Sequence, residues 1–151
     1  MKLLLFCVLI AAGLGCKLRN YVNTAKCISS SEVITQLSFC GSDVSGDICV
    51  PLEHPLWPEW TIEKMDFEVH KFVALGAEGR IKDELSTSPT FTGLQFTSNY
   101  KCIREYRKFA CTINFPPCDK QEDSTLDFDE SYCSGFASEC GISDLNCAQL
   151  Q

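Results

Sequence analysis

The chain has 151 residues, 20 acidic against 13 basic for a formal charge of −7, and 11 cysteines, nine of them after Lys26. A surface of that sign disfavours nucleic acid and anionic membranes as partners. Thiols at that density disfavour a reducing cytosol, so the composition points to an oxidising compartment and a small fold stapled by paired sulfurs.

Lys2 is followed by the apolar run Leu3 to Ala12 and then by the small residues Gly13 and Gly15. Residues 1–15 therefore read as a secretory signal peptide, with 16–151 as a single cysteine-rich domain. A membrane span needs about 20 apolar residues, and Lys17 and Arg19 arrive too early for one. Cleavage after Gly15 leaves ten cysteines, which can all pair, whereas cleavage after Cys16 leaves nine; parity favours Gly15. A lipoprotein would also begin at a cysteine, but Gly13 stands where a lipobox usually carries Leu. Loss of Lys2 with the leader leaves 12 of the 13 basic residues against 20 acidic ones, a charge of −8. No other segment is apolar for long enough to cross a bilayer, no glycosylation sequon occurs, and the polar end at Gln151 lacks a lipid-anchor signal. The expected product is a soluble, secreted domain with no membrane span of its own.

Ser29 and Glu32 have the capping-box spacing, and Val33, Ile34, Leu37 and Cys40 follow at helical intervals, which predicts a helix over 30–39. Residues 41–47 are turn-rich. Three prolines between Pro51 and Trp60 preclude a helix there and predict an ordered, extended loop. Thr61 can cap a second helix whose apolar stripe is Ile62, Met65, Val69, Phe72 and Val73, with Gly76 and Gly79 as stops. Signals over 80–98 are mixed, a helical turn at 80–85 and strand-like composition at 91–97. From Ser98 or Asn99 an amphipathic helix buries Cys102, Ile103, Tyr106, Phe109, Ala110 and Ile113, carries Lys101, Arg104, Arg107 and Lys108 outside, and ends before Pro116. An acidic loop follows, and a last helix fits Glu130 to Cys140 with Gly141 beyond its end. The expected class is mainly α: a small disulfide-rich extracellular domain of several short helices with long loops and a minor β hairpin.

The segment from Cys102 to Cys118 spaces its three cysteines by eight and then six residues, with Phe109 two before the second and Pro117 just before the third. It resembles the centre of a Frizzled-type cysteine-rich domain. It is also similar to the extracellular cysteine-rich region of fungal stretch-activated calcium-channel subunits and of related sodium-leak-channel auxiliary factors. Cys133 and Cys140, again six apart, fit the next pair, the stretch 67–75 resembles the family's preceding helix, and Cys49-Val50-Pro51 matches the channel branch. The chain departs from Frizzled at Asp129, where a cysteine is expected, in the long gap from Cys49 to Cys102, and at Cys16 and Cys27, which have no clear counterparts.

The resemblance implies the pairs Cys40–Cys118, Cys49–Cys111, Cys102–Cys140 and Cys133–Cys147, with Cys16 and Cys27 closing locally; ten cysteines permit many other pairings. It also implies recognition of a protein or lipidated ligand through a groove, or docking on the extracellular face of a membrane receptor or channel.

Candidate ligand contacts are Trp57 and Trp60, two indoles in the proline-stiffened loop of a kind that a secreted core more often swallows, together with Phe72 and Tyr106 on the two amphipathic helices. An even count of paired cysteines leaves no nucleophilic thiol. His54 and His70 lack any catalytic surrounding motif, and no serine elbow, zinc-protease helix or phospholipase motif occurs. Asp127, Asp129 and Glu130 could face calcium, but Tyr132 and Ser138 occupy positions where an EF-hand loop needs Gly and Glu. The expected function is a non-enzymatic secreted binding module without a cofactor or metal; the competing class is a small secreted hydrolase with no recognisable motif.

Overall fold

The computed structural model describes residues 16, 18, 25–52, 61–77, 100–127, 129–142 and 147. Three helices and two small antiparallel sheets make up these residues: β1 (Ala25–Ser29), β2 (Asp47–Pro51), α1 (Ile62–Ala77), α2 (Tyr100–Asn114), β3 (Cys118–Asp119), β4 (Ser124–Thr125) and α3 (Glu130–Glu139). The mainly α expectation holds for the helices, while the strand component is larger than one minor hairpin.

β1 and β2 pair antiparallel, Cys27 opposite Cys49 and Ile28 opposite Ile48. β-branched Ile48 and Val50 and the buried Cys49 suit β2 to a strand buried on both faces. On the far side of β2, Cys49 N donates to Pro116 O at 2.8 Å and Ile48 bridges Pro117, which draws the end of α2 onto the sheet. The hairpin β3–β4 then folds back with Cys118 opposite Thr125.

The helix expected over 30–39 is absent. Two single 3₁₀ turns, Ser30–Glu32 and Ile34–Gln36, stand in its place. Ser29 makes no side-chain cap, its hydroxyl meeting that of Ser31 at 2.9 Å, and Glu32 reaches out to Lys120. The amides of Phe39 and Cys40, which a helix would spend on carbonyls four residues back, instead donate to the Asp66 carboxylate. Three consecutive β-branched residues, Val33, Ile34 and Thr35, weaken the local preference further.

The other helices follow the sequence. Lys64 N donates to Thr61 Oγ1 at 3.1 Å, and α1 buries Met65, Val69 and Val73; it continues past Gly76 to Ala77. α2 stops two residues short of Pro116 and buries Cys102, Tyr106, Phe109 and Ala110. Asp129 caps α3 by accepting from Ser131 N, and Gly141 beyond its end takes φ +66°, where a side chain would be strained. Tyr106 and Phe109 each lie 4.9 Å from the Phe136 ring, an aromatic stack that joins α2 to α3.

Five disulfides consume the ten cysteines from Cys16 onward, nine of which are buried. Cys102–Cys140 and Cys133–Cys147 pair as the resemblance implies. The remaining three differ: Cys40 bonds Cys111, Cys27 bonds Cys118 and Cys16 bonds Cys49. Cys118, which opens the β3–β4 hairpin, meets Cys27 of β1, whose amide the same hairpin holds through Asp123. Cys111 at the end of α2 faces the turn carrying Cys40, and Cys49 is left to Cys16. With its sulfur bonded to Cys49, Cys16 cannot also carry a thioether-linked lipid.

Candidate functional site

Among the described residues, the turn from Ser38 to Asp43 is gripped by both long helices. From α1, the carboxylate of Asp66, 1% exposed, accepts from Ser38 Oγ at 3.2 Å, from Phe39 N at 2.8 Å and from Cys40 N at 2.8 Å. From α2, Arg107 donates Nη2 to Phe39 O and to Ser42 Oγ (2.8 Å), with its Nε 2.6 Å from Asp43 Oδ2. The Cys40–Cys111 bridge adds a covalent tie. Gly41 completes the turn: a Cβ there would stand 2.6 Å from Leu37 O and 2.9 Å from Ile34 Cδ1.

This turn presents Phe39, half-buried, against an imidazole and a guanidinium. His70 stacks on it with centroids 4.4 Å apart and planes 14° from parallel, and the Arg107 guanidinium lies 4.6 Å from its centroid. One helical turn toward the N-terminus of α1, Phe67 is 53% exposed, with Lys64 and Lys71 ammonium groups 5.9 and 5.3 Å from its ring. Both lysines reach Glu68, at 2.9 and 2.8 Å, and the bonds from Lys71 and then Lys64 hold that carboxyl below its ordinary range. Ile34, 48% exposed beside Gly41, extends the apolar part. The result is a ridge of Ile34, Phe39, Phe67 and His70 rimmed by Lys64, Lys71 and Arg107. Aromatic and arginine side chains held in place are the groups that most often anchor protein contacts.

No family model, curated protein or solved structure matches this chain. The ridge is therefore read on its own chemistry. Trp57, Trp60 and His54 lie outside the described residues. Phe72 and Tyr106 are brought together, centroids 5.8 Å apart, but Tyr106 is 1% exposed inside the aromatic stack, where burial raises its phenol well above the ordinary value. The basic residues of α2 pair within the protein: Arg104 and Lys108 with Glu105, Arg107 with Asp43. The acidic loop that follows is not their partner in these pairs. Asp129 serves as a helix cap, and no cluster of three or more metal-ligating side chains occurs among the described residues.

A second feature lies on the β2 and hairpin side, a cleft of about 540 Å³ lined by Asp47, Cys118, Asp119, Lys120, Gln121 and the 49%-exposed Leu126. Lys120 turns toward Glu32 at 2.9 Å, which lowers the glutamate's pKa and raises the lysine's. Asp119 Oδ1 accepts from Gln121 N and Glu122 N, and Asp123, at φ +48°, accepts from Cys27 N at 3.0 Å, fixing the hairpin to β1.

Sequence reasoning missed Asp66, Phe39 and Arg107 as a unit. One signal was available: position 66 falls on the Ile62, Met65, Val69, Val73 stripe, and a carboxylate on an apolar helix face must find donors. Which donors it finds is a tertiary matter.

Proposed function

We propose that this protein is a secreted, non-enzymatic binding module. It recognises an extracellular protein or lipidated ligand, or docks on the outer face of a membrane receptor or channel. Kinship with the Frizzled-type cysteine-rich domain is part of the proposal and rests on the Cys102–Cys118 segment. The observation that carries the reading is the Ser38–Asp43 turn, immobilised by a buried carboxylate, a guanidinium and a disulfide so that Phe39, His70 and Arg107 are presented in one geometry. A rigid, pre-ordered aromatic contact loses little entropy on binding. Five disulfides suit an oxidising environment, and no helix among the described residues is long and apolar enough to cross a membrane. Output would therefore come from a separate membrane partner, or the protein acts as a free carrier or decoy.

The test is saturable binding of oxidised, labelled protein to intact cells, with native mass spectrometry of the secreted product to detect retained lipid. Binding is expected to be competed by unlabelled protein and weakened at least tenfold in a Phe39→Ala, Arg107→Ala double variant, as loss of a central anchor pair costs. Hydrolytic turnover of ester, peptide or glycoside substrates that vanishes in His70→Ala or His54→Ala would replace this reading with the hydrolase one.

A further inference from the structure

Going beyond a heterologous ligand, two surfaces of this chain complement each other. On α1, the exposed Phe67 stands as an apolar knob between two ammonium groups. On other elements, the cleft is lined by the exposed, apolar Leu126 together with Asp47 and Asp119. The cleft lies in the most acidic stretch of the chain, where residues 119–130 hold six carboxylates and one lysine. α1 packs against α2 and the Ile34–Gln36 turn, whereas the cleft is built by β2 and the β3–β4 hairpin, so knob and cleft belong to different parts of the fold.

We infer that copies of this chain associate head to tail, Phe67 of one copy seated in the Leu126 cleft of the next. Lys64 and Lys71 then face Asp47 and Asp119 of the neighbour, exchanging their shared intramolecular partner Glu68 for an intermolecular set. The cleft lining carries two carboxylates, Asp47 and Asp119, against one ammonium, Lys120, which is itself ion-paired to Glu32. The two contacting surfaces are different, so the contact is heterologous and leaves a free knob at one end and a free cleft at the other. A patch of this size gives weak association, and because the charges are exposed it is screened by salt.

Sedimentation of the oxidised protein tests this with two surface variants, Phe67→Glu and Leu126→Glu, each checked for complete thiol oxidation. The wild type is expected to gain weight-average mass with concentration, and raising salt from about 0.05 to about 0.5 M is expected to move that transition roughly tenfold higher in concentration. Each variant alone stays monomeric. Mixed one to one, they form a species of two chains and no larger, because one intact knob meets one intact cleft and both remaining ends are blocked. Should a glutamate variant fail to oxidise, Lys71→Glu replaces the first and Gln121→Lys the second in the same mixing design. A wild type that stays monomeric at millimolar concentration and low salt overturns the inference, as does a mixture that stays monomeric, because the one intact knob and the one intact cleft then fail to meet. Neither result touches binding of a different partner through Phe39 and Arg107.

Discussion

Asp66 and Arg107 divide the work of holding one turn, the first by accepting its amides and the second by capping its carbonyl and stacking on its ring. Neither role passes to a near relative, since lysine has neither the planar stacking face nor the forked donors that Arg107 uses. Tyr106 shows the opposite relation between side chain and environment, a polar group held in an aromatic stack. An unfolded chain's phenol ionises near pH 10, and burial keeps the folded one protonated beyond that point. Below about pH 10 both states keep the proton and the hydroxyl adds no pH dependence. Above it the unfolded state alone releases the proton, so folding stability falls as pH rises. Tyr106→Phe should therefore flatten the alkaline decline of the urea midpoint between about pH 10 and 11.5. Parallel declines in variant and wild type would show that the phenol is not responsible.

At the level of elements, α1, α2 and α3 were legible because each carries an apolar stripe and a boundary signal: the Thr61 cap before α1, Pro116 after α2 and Gly141 after α3. The segment 30–39 carried the same kind of pattern and did not become a helix. Its last two amides are worth more on a buried carboxylate than on carbonyls that water also satisfies. β1 and β2 were not legible, as neither alternates polar with apolar residues: Cys27-Ile28 and Ile48-Cys49-Val50 are buried runs whose strand character exists only once they pair. The Ser38–Asp43 turn depends in the same way on a neighbour, through the close approach at Gly41. Gly41→Ala forces a Cβ against Leu37 O and should cost about 1–3 kcal/mol, read as a lowered denaturation midpoint at unchanged m-value. A neutral effect would mean that the turn is looser than its three anchors suggest.

For the molecule as a whole, the bridges set the scale of stability. Cys27–Cys118 spans 91 residues and Cys133–Cys147 only 14. With Cys40–Cys111 intact, the path from Cys27 to Cys118 crosses that bridge and runs through about 20 residues, so in the chain-entropy model both bridges contribute about 3 kcal/mol. Replacing Cys27 and Cys118 by Ala together should therefore lower the unfolding free energy by about as much as replacing Cys133 and Cys147. Denaturant titration of the two double variants decides it, and a difference well above about 1 kcal/mol would show that local packing, not loop closure, dominates.

From the residues alone came the oxidising compartment, the even set of ten paired cysteines, and the three helices with the Thr61 cap and the Gly141 stop, because those properties are local or are simple counts. Tertiary structure alone decided the pairs Cys16–Cys49, Cys27–Cys118 and Cys40–Cys111, that 30–39 opens into two turns, and that Phe39, His70 and Arg107 form one surface. The reason is common to all three. Each depends on contacts between residues 26 to 91 positions apart, and chain closure over such distances is settled by how the strands and helices pack, not by the preferences of any one stretch.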